Sequence, residues 1–104
     1  HRIRIFFEQL LPLTDEEWAS MEKLFQREVC EKKSRLLEQG EVGDFVAFAE
    51  SGLYRFFQIR EGAERVTAFF FPGDFISNYR SFVTHEPSEH YIQCIEGGVI
   101  WKLK

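Results

Sequence analysis

Phe71-Pro72-Gly73-Asp74-Phe75-Ile76-Ser77-Asn78-Tyr79-Arg80-Ser81-Phe82 interrupts a chain that otherwise runs in short β-prone segments. Pro72 removes a backbone donor and Gly73 admits a positive φ, so the preceding extended run ends there. The residues from Ser77 to Phe82 read as a short helix, capped by Ser77 or Asp74. A helix N-terminus offers free N–H groups and the positive end of a dipole, which suits phosphate or carboxylate. Gly73, Asp74, Asn78, Arg80 and Ser81 are therefore candidate ligand contacts.

Outward from this cassette, the β-prone runs are Val29, Leu36-Leu37, Phe45-Val46-Ala47-Phe48-Ala49, residues 53–59, 65–71, 91–95 and 99–103. Gly40, Gly43-Asp44, Ser51-Gly52, Glu61-Gly62, Pro72-Gly73 and Gly97-Gly98 separate them, a turn spacing that suits an all-β sandwich or barrel. Residues 58–65 read as a hairpin, with Gly62 supplying positive φ at the turn. Upstream, Thr14-Asp15-Glu16-Glu17 has the pattern of a capping box. It opens an amphipathic helix whose apolar stripe is Trp18, Met21, Leu24 and Phe25. The apolar opening Ile3-Arg4-Ile5-Phe6-Phe7-Glu8-Gln9-Leu10-Leu11 fits helix or strand. The chain carries 12 Phe, which supply large apolar area to a narrow interior; a base-stacking platform is the sharper alternative for them.

The 104 residues suffice for one domain with one core. A chain that starts at His1 and stops inside an alternating apolar and basic run reads as part of something longer. Its net charge of −4 argues against a nucleic-acid surface, and the basic cluster Arg27, Lys32, Lys33 and Arg35 is interleaved with Glu28 and Glu31. No apolar run approaches the roughly 20 residues that span a bilayer, so a cytoplasmic protein is expected. Cys30 and Cys94 lack metal-ligand spacing and read as small core residues. His85 and His90 with Glu86 and Glu89 lack the His-x-His pair of a cupin-type metal site, and no nucleophile has a recognisable His and acid partner set. Neither a metal, a cofactor nor an enzymatic activity is expected.

The order of several short motifs resembles the Crp/Fnr family of bacterial regulators. The motifs are the capped Leu13-Thr14-Asp15-Glu16-Glu17, Leu37-Glu38-Gln39-Gly40-Glu41, Val46-Ala47-Phe48 before Ser51-Gly52-Leu53-Tyr54-Arg55, Pro72-Gly73-Asp74-Phe75, Ser81-Phe82, Pro87-Ser88-Glu89 and Ile95-Glu96. The resemblance covers nearly the whole chain. It implies a mainly β double-stranded β-helix jelly roll, like a cyclic-nucleotide-binding domain, with N-terminal helices and a short cassette helix. It also implies a sensor for a small effector, with a dimer helix and a DNA-binding helix-turn-helix outside this chain and a homodimeric parent.

Family members that bind cyclic AMP carry Gly-Glu where this chain has Ser77-Asn78, and Arg-Ser/Thr-Ala where it has Ser88-Glu89-His90. Asn78 retains the capacity to bond a hydroxyl, and Ser88 and Glu89, at the positions of the phosphate-holding motif, join the candidate ligand contacts. Losing the phosphate-holding Arg removes about 1.5–3 kcal/mol of hydrogen bonding to charge. Ordinary cyclic-AMP binding is not expected; a small anion held by Arg80 from the short helix is. The alternative for Arg80 is a surface pair with Glu86 or Glu89. The alternative for the domain is a non-binding scaffold, in which Phe71, Tyr79 or Tyr91 fills the space that a sensor leaves open beside Asn78, Arg80 and Ser88.

Overall fold

The computed structural model describes Arg4, Ile5, Glu8 and residues 12–103. The apolar opening lies largely outside the described residues; Arg4, Ile5 and Glu8 are helical. Thr14 caps α1 (Asp15–Glu22) with a complete capping box: its Oγ1 accepts from Glu17 N at 3.1 Å, while Glu17 Oε1 accepts from Thr14 N at 3.1 Å. Such a cap contributes about 1 kcal/mol. Trp18 is the buried residue of this helix and packs with Phe48, among the partly buried Met21, Phe25, Phe75 and Trp101. The expected apolar stripe is too long by a turn. Leu24 is 62 % exposed, and Phe25 opens a strand, because α1 ends at Glu22 and side chains alternate from there.

Eight strands follow: β1 (Phe25–Cys30), β2 (Arg35–Leu37), β3 (Val46–Ala49), β4 (Leu53–Arg60), β5 (Ala63–Phe70), β6 (Phe75–Ile76), β7 (Tyr91–Glu96) and β8 (Gly98–Leu103). They form two antiparallel four-stranded sheets, ordered β1-β8-β3-β6 and β2-β7-β4-β5. This is the jelly roll that the sequence implies. Between the sheets lie Leu37, Phe45, Ala47, Ala49, Tyr54, Ile76, Ile92, Cys94 and Ile100, with Cys30 at the margin. Tyr54 is wholly buried; its hydroxyl donates to Ser51 O at 2.9 Å, and burial raises its pKa.

Two glycines set how closely the chain crosses itself beside this core. A Cβ on Gly98 would fall 2.2 Å from Ser51 O, and one on Gly52, whose φ is +94°, would fall 2.8 Å from Glu96 O. The β4–β5 hairpin turns through Glu61 (φ 52°) and Gly62 (φ 79°), the paired positive values of a type I′ connection. Among the described residues β5 pairs only with β4; it forms a sheet edge and is exposed along nearly its whole length.

Candidate ligand site

The cassette is fixed to the sandwich at its start. Asp74 Oδ2 accepts from Phe71 N at 2.8 Å, Gly73 (φ +97°) donates its N–H to Ala49 O at 2.8 Å, and Ala49 N donates to Asp74 O at 2.9 Å. Gly73 and Asp74 thus shape a turn and tie it to β3. After β6, Ser77 Oγ donates to Phe45 O at 3.3 Å. The short helix α2 (Tyr79–Thr84) then begins, capped by Asn78 rather than by the expected Ser77 or Asp74. Ser77 and Asp74 are spent on backbone groups further back, which leaves the residue next to the helix to cap it.

Asn78 is nearly buried and uses both ends of its amide. Oδ1 accepts from Ser81 N at 3.3 Å, and Nδ2 donates to Ser88 Oγ at 2.7 Å. Ser88 Oγ also accepts from His90 N at 3.0 Å and donates to His90 O at 2.8 Å, which exhausts its capacity. Ser81 Oγ accepts from Gly43 N at 2.7 Å and donates to Glu86 O at 2.6 Å. The helix ends at His85 in the left-handed conformation (φ 58°), with His85 N donating to Ser81 O. Ser88 N donates to Glu41 O at 2.7 Å, and Val42 bridges Pro87, so the return segment is held by the loop before β3.

In front of this frame lies a cavity of about 480 Å³. Its apolar side comes from Phe56 of β4 and from Ala68 and Phe70 of β5; its polar side comes from Ser77, Asn78, Arg80, Glu89 and His90, with Tyr79 at the rim. Phe56 and Phe70 meet edge to face with centroids 6.1 Å apart, and Phe56 stacks on His90 at 4.1 Å with 15° between planes. Burial lowers the His90 pKa, with Arg60 adding to the shift and Glu89 opposing it, so the ring is neutral at pH 7. Arg80 is paired on the surface: Nη2 lies 3.0 Å from Glu86 Oε2, and Nη1 lies 3.9 Å from Glu89 Oε1.

Of the candidate contacts, Asn78, Arg80 and Glu89 border the cavity. Gly73, Asp74, Ser81 and Ser88 are not among its described lining residues and build the frame behind it. Phe71, Tyr79 and Tyr91 do not fill the space. Phe71 and Tyr79 are exposed, and Tyr91 stacks on Phe57 at 5.1 Å. The sequence reading missed Phe56, Ala68, Phe70 and His90 as walls. Alternation in β5 places Ala68 and Phe70 on one face, and that signal was available. Phe56 lies on the same face of β4 as Tyr54 and opposite Ala68, so it too follows from alternation; the register shift, which comes only between Phe56 and Phe57, has no sequence marker. Among the described residues, no group of three or more His, Cys, Asp or Glu is placed to hold a metal ion. Among them too, no helix is long and apolar enough to cross a membrane.

The family model of the cyclic nucleotide-binding domain matches residues 27–104. The chain belongs to that family. No curated protein matches its sequence significantly. Among solved structures, this cyclic nucleotide-binding domain is similar to the regulatory domain of Toxoplasma gondii PKA, crystallised with cAMP, with a TM-score of 0.81 at 18 % identity over 98 % of this chain and 40 % of that one. It is also similar to the Thermus thermophilus catabolite activator protein (TM-score 0.75, 23 % identity, 90 % of this chain and 44 % of that one). A third similar structure is the N-terminal domain of a transcriptional regulator from Streptomyces coelicolor A3(2) (TM-score 0.74, 17 % identity, 88 % of this chain and 65 % of that one). At these identities the likeness is one of fold. The domain spans 40–65 % of the length of these three structures.

Proposed function

We propose that this chain is the effector-sensing domain of a Crp/Fnr-type bacterial transcription regulator, taking a small molecule into the cavity between the β4–β5 hairpin, α2 and the start of β7. The supporting observation is the position of Asn78, which borders the cavity, caps α2 and clasps Ser88. Ligand occupancy and the seating of the helix meet in one side chain. A ligand shifts an equilibrium only by binding two arrangements unequally, and α2, a short element held largely by side-chain bonds, is the element that would differ between them. In this reading Asn78, Arg80 and Glu89 face the ligand with Phe56, Phe70, Tyr79 and His90, while Gly73, Asp74, Ser81 and Ser88 hold the frame. Output passes to a dimer helix and a DNA-binding helix-turn-helix outside this chain. The domain itself touches no nucleic acid, catalyses no reaction, and works within a cytoplasmic homodimer.

One observation favours a second reading, a scaffold without a ligand: Asn78 and Ser88 bond each other, and Ser81 is spent on Gly43 and Glu86. Thermal shift against cyclic nucleotides, nucleosides and small carboxylates separates the two. A ligand at 100 times its Kd stabilises the domain by about 2.7 kcal/mol. The sensor reading expects a selective shift that shrinks in Tyr79→Ala, a change at a rim residue that is 78 % exposed and carries little of the fold. A flat response across the panel transfers support to the scaffold.

A further inference from the structure

We infer that Glu86 and Glu89 neutralise Arg80 so that the cavity discriminates against anions and takes an uncharged, planar heteroaromatic ligand. This rests on the sensor reading above and specifies its ligand. Among the described residues that line the cavity, Arg80 is the one with a permanent positive charge, and both of its terminal nitrogens face carboxylates, at 3.0 Å and 3.9 Å. An entering phosphate or carboxylate must displace them, and it then lies beside Glu89, which remains on the wall. Arg60, whose charge reaches His90, is not among the described lining residues of this cavity and lines a separate pocket of about 160 Å³ that shares Glu89. His90, neutral at pH 7, contributes no compensating charge.

The same wall suits a flat, uncharged molecule. Phe56, Phe70, His90 and Tyr79 present aromatic surface, and a base-sized ring gains stacking energy on such faces without needing a counter-ion. Polar selectivity would come from Glu89 and the second Asn78 amide hydrogen, an acceptor and a donor that suit a heteroaromatic edge. Glu86 and Glu89 are exposed, so replacing them probes charge without opening the core.

Calorimetric titration with adenosine and cyclic AMP, which share a base and differ in charge, tests this on the wild-type domain and on E86Q/E89Q. The wild type is expected to bind adenosine more tightly than cyclic AMP. The double variant should gain about tenfold in cyclic-AMP affinity, the scale of a released hydrogen bond to charge. Its adenosine affinity should fall, by no more than about tenfold, because Glu89→Gln exchanges a charged acceptor facing the base for a weaker neutral one, so the two probes move in opposite directions. Adding Arg80→Ala to the double variant should cancel the gain. Tighter cyclic-AMP binding by the wild type, or no gain in the double variant, overturns the inference and leaves an effector site in place. Binding of neither probe to any of the three proteins removes the base-binding site itself, and the inference with it.

Discussion

Asn78 joins the cavity to the frame, and its replacement separates capping from anchoring. Asn78→Ala leaves Ser81 N without its cap and takes a donor from the buried Ser88 Oγ. The expected cost is about 2–3 kcal/mol, a lost cap plus a weakened buried network, read by urea denaturation. Asn78→Asp keeps the capping acceptor but turns an acceptor toward Ser88, whose single proton is already committed to His90 O. It should recover little of the loss, whereas a purely capping role would predict full rescue. His90 carries the pH dependence at this scale. Burial, with Arg60, lowers its folded pKa below the ordinary 6.5 despite Glu89. The unfolded chain therefore binds the proton more readily, so the stability from neutral His90 is complete above that ordinary value and is lost as pH falls through the folded one. His90→Phe keeps a ring against Phe56 and removes the proton site. Its melting temperature should fall less than the wild type's between about pH 7.5 and about pH 5, and equal falls would place the acid sensitivity elsewhere.

Among the elements, the β4–β5 hairpin is the most legible from sequence and has a correctable flaw. Arg60 pairs with Ala63 across a two-residue turn whose first residue, Glu61, sits at φ 52°. That conformation sets the Cβ of most L-residues against the backbone but is tolerated by Asn, so Glu61→Asn creates an Asn-Gly turn and should stabilise the domain by about 0.5–1 kcal/mol in urea denaturation. A loss of stability would mean that Glu61 makes contacts its turn geometry does not reveal. The strands, the capping box at Thr14 and the cassette break at Pro72-Gly73 were readable because each has a local cause: alternation, a side chain meeting its own backbone, or a residue that changes the allowed φ. The cassette cap and the cavity wall were not readable in full. Asn78 became the cap because Ser77 and Asp74 found partners in Phe45 and Phe71, and Phe56 came to the wall beside Ala68 and Phe70 of the paired strand; the Ser77 contact and the strand pairing both join residues far apart along the chain. For the same reason, the ion pairing of Arg80 stood in the sequence as one of two alternatives until Glu86 and Glu89 could be placed.

At the scale of the whole molecule, the sandwich holds one thiol in each sheet, and both face the shared core. Cys30 closes β1 and Cys94 lies in β7, buried to 7 % and 1 % exposure, and neither forms a disulfide. Cys94 Sγ sits 3.0 Å from Glu96 O and 3.8 Å from Cys30 O, so the thiols belong to the contact between the two layers. Burial pushes the Cys30 pKa up to about 11, with the neighbouring Cys94 adding to it, and burial also raises that of Cys94. Because the thiolate is the nucleophile, a folded domain at neutral pH offers a labelling reagent almost neither access nor reactive anion. Reaction then requires the sheets to part, and labelling reports opening of the sandwich rather than local fraying. With an aromatic disulfide reagent at about pH 8, both thiols should react slowly in native buffer and at one common rate, rising together through the urea transition seen by circular dichroism. Gly98→Ala, which forces a Cβ against Ser51 O, should accelerate both to the same degree. Rapid native labelling of Cys30 alone would show that its end of the sandwich, beside the open edge of β1, opens independently of the core around Cys94.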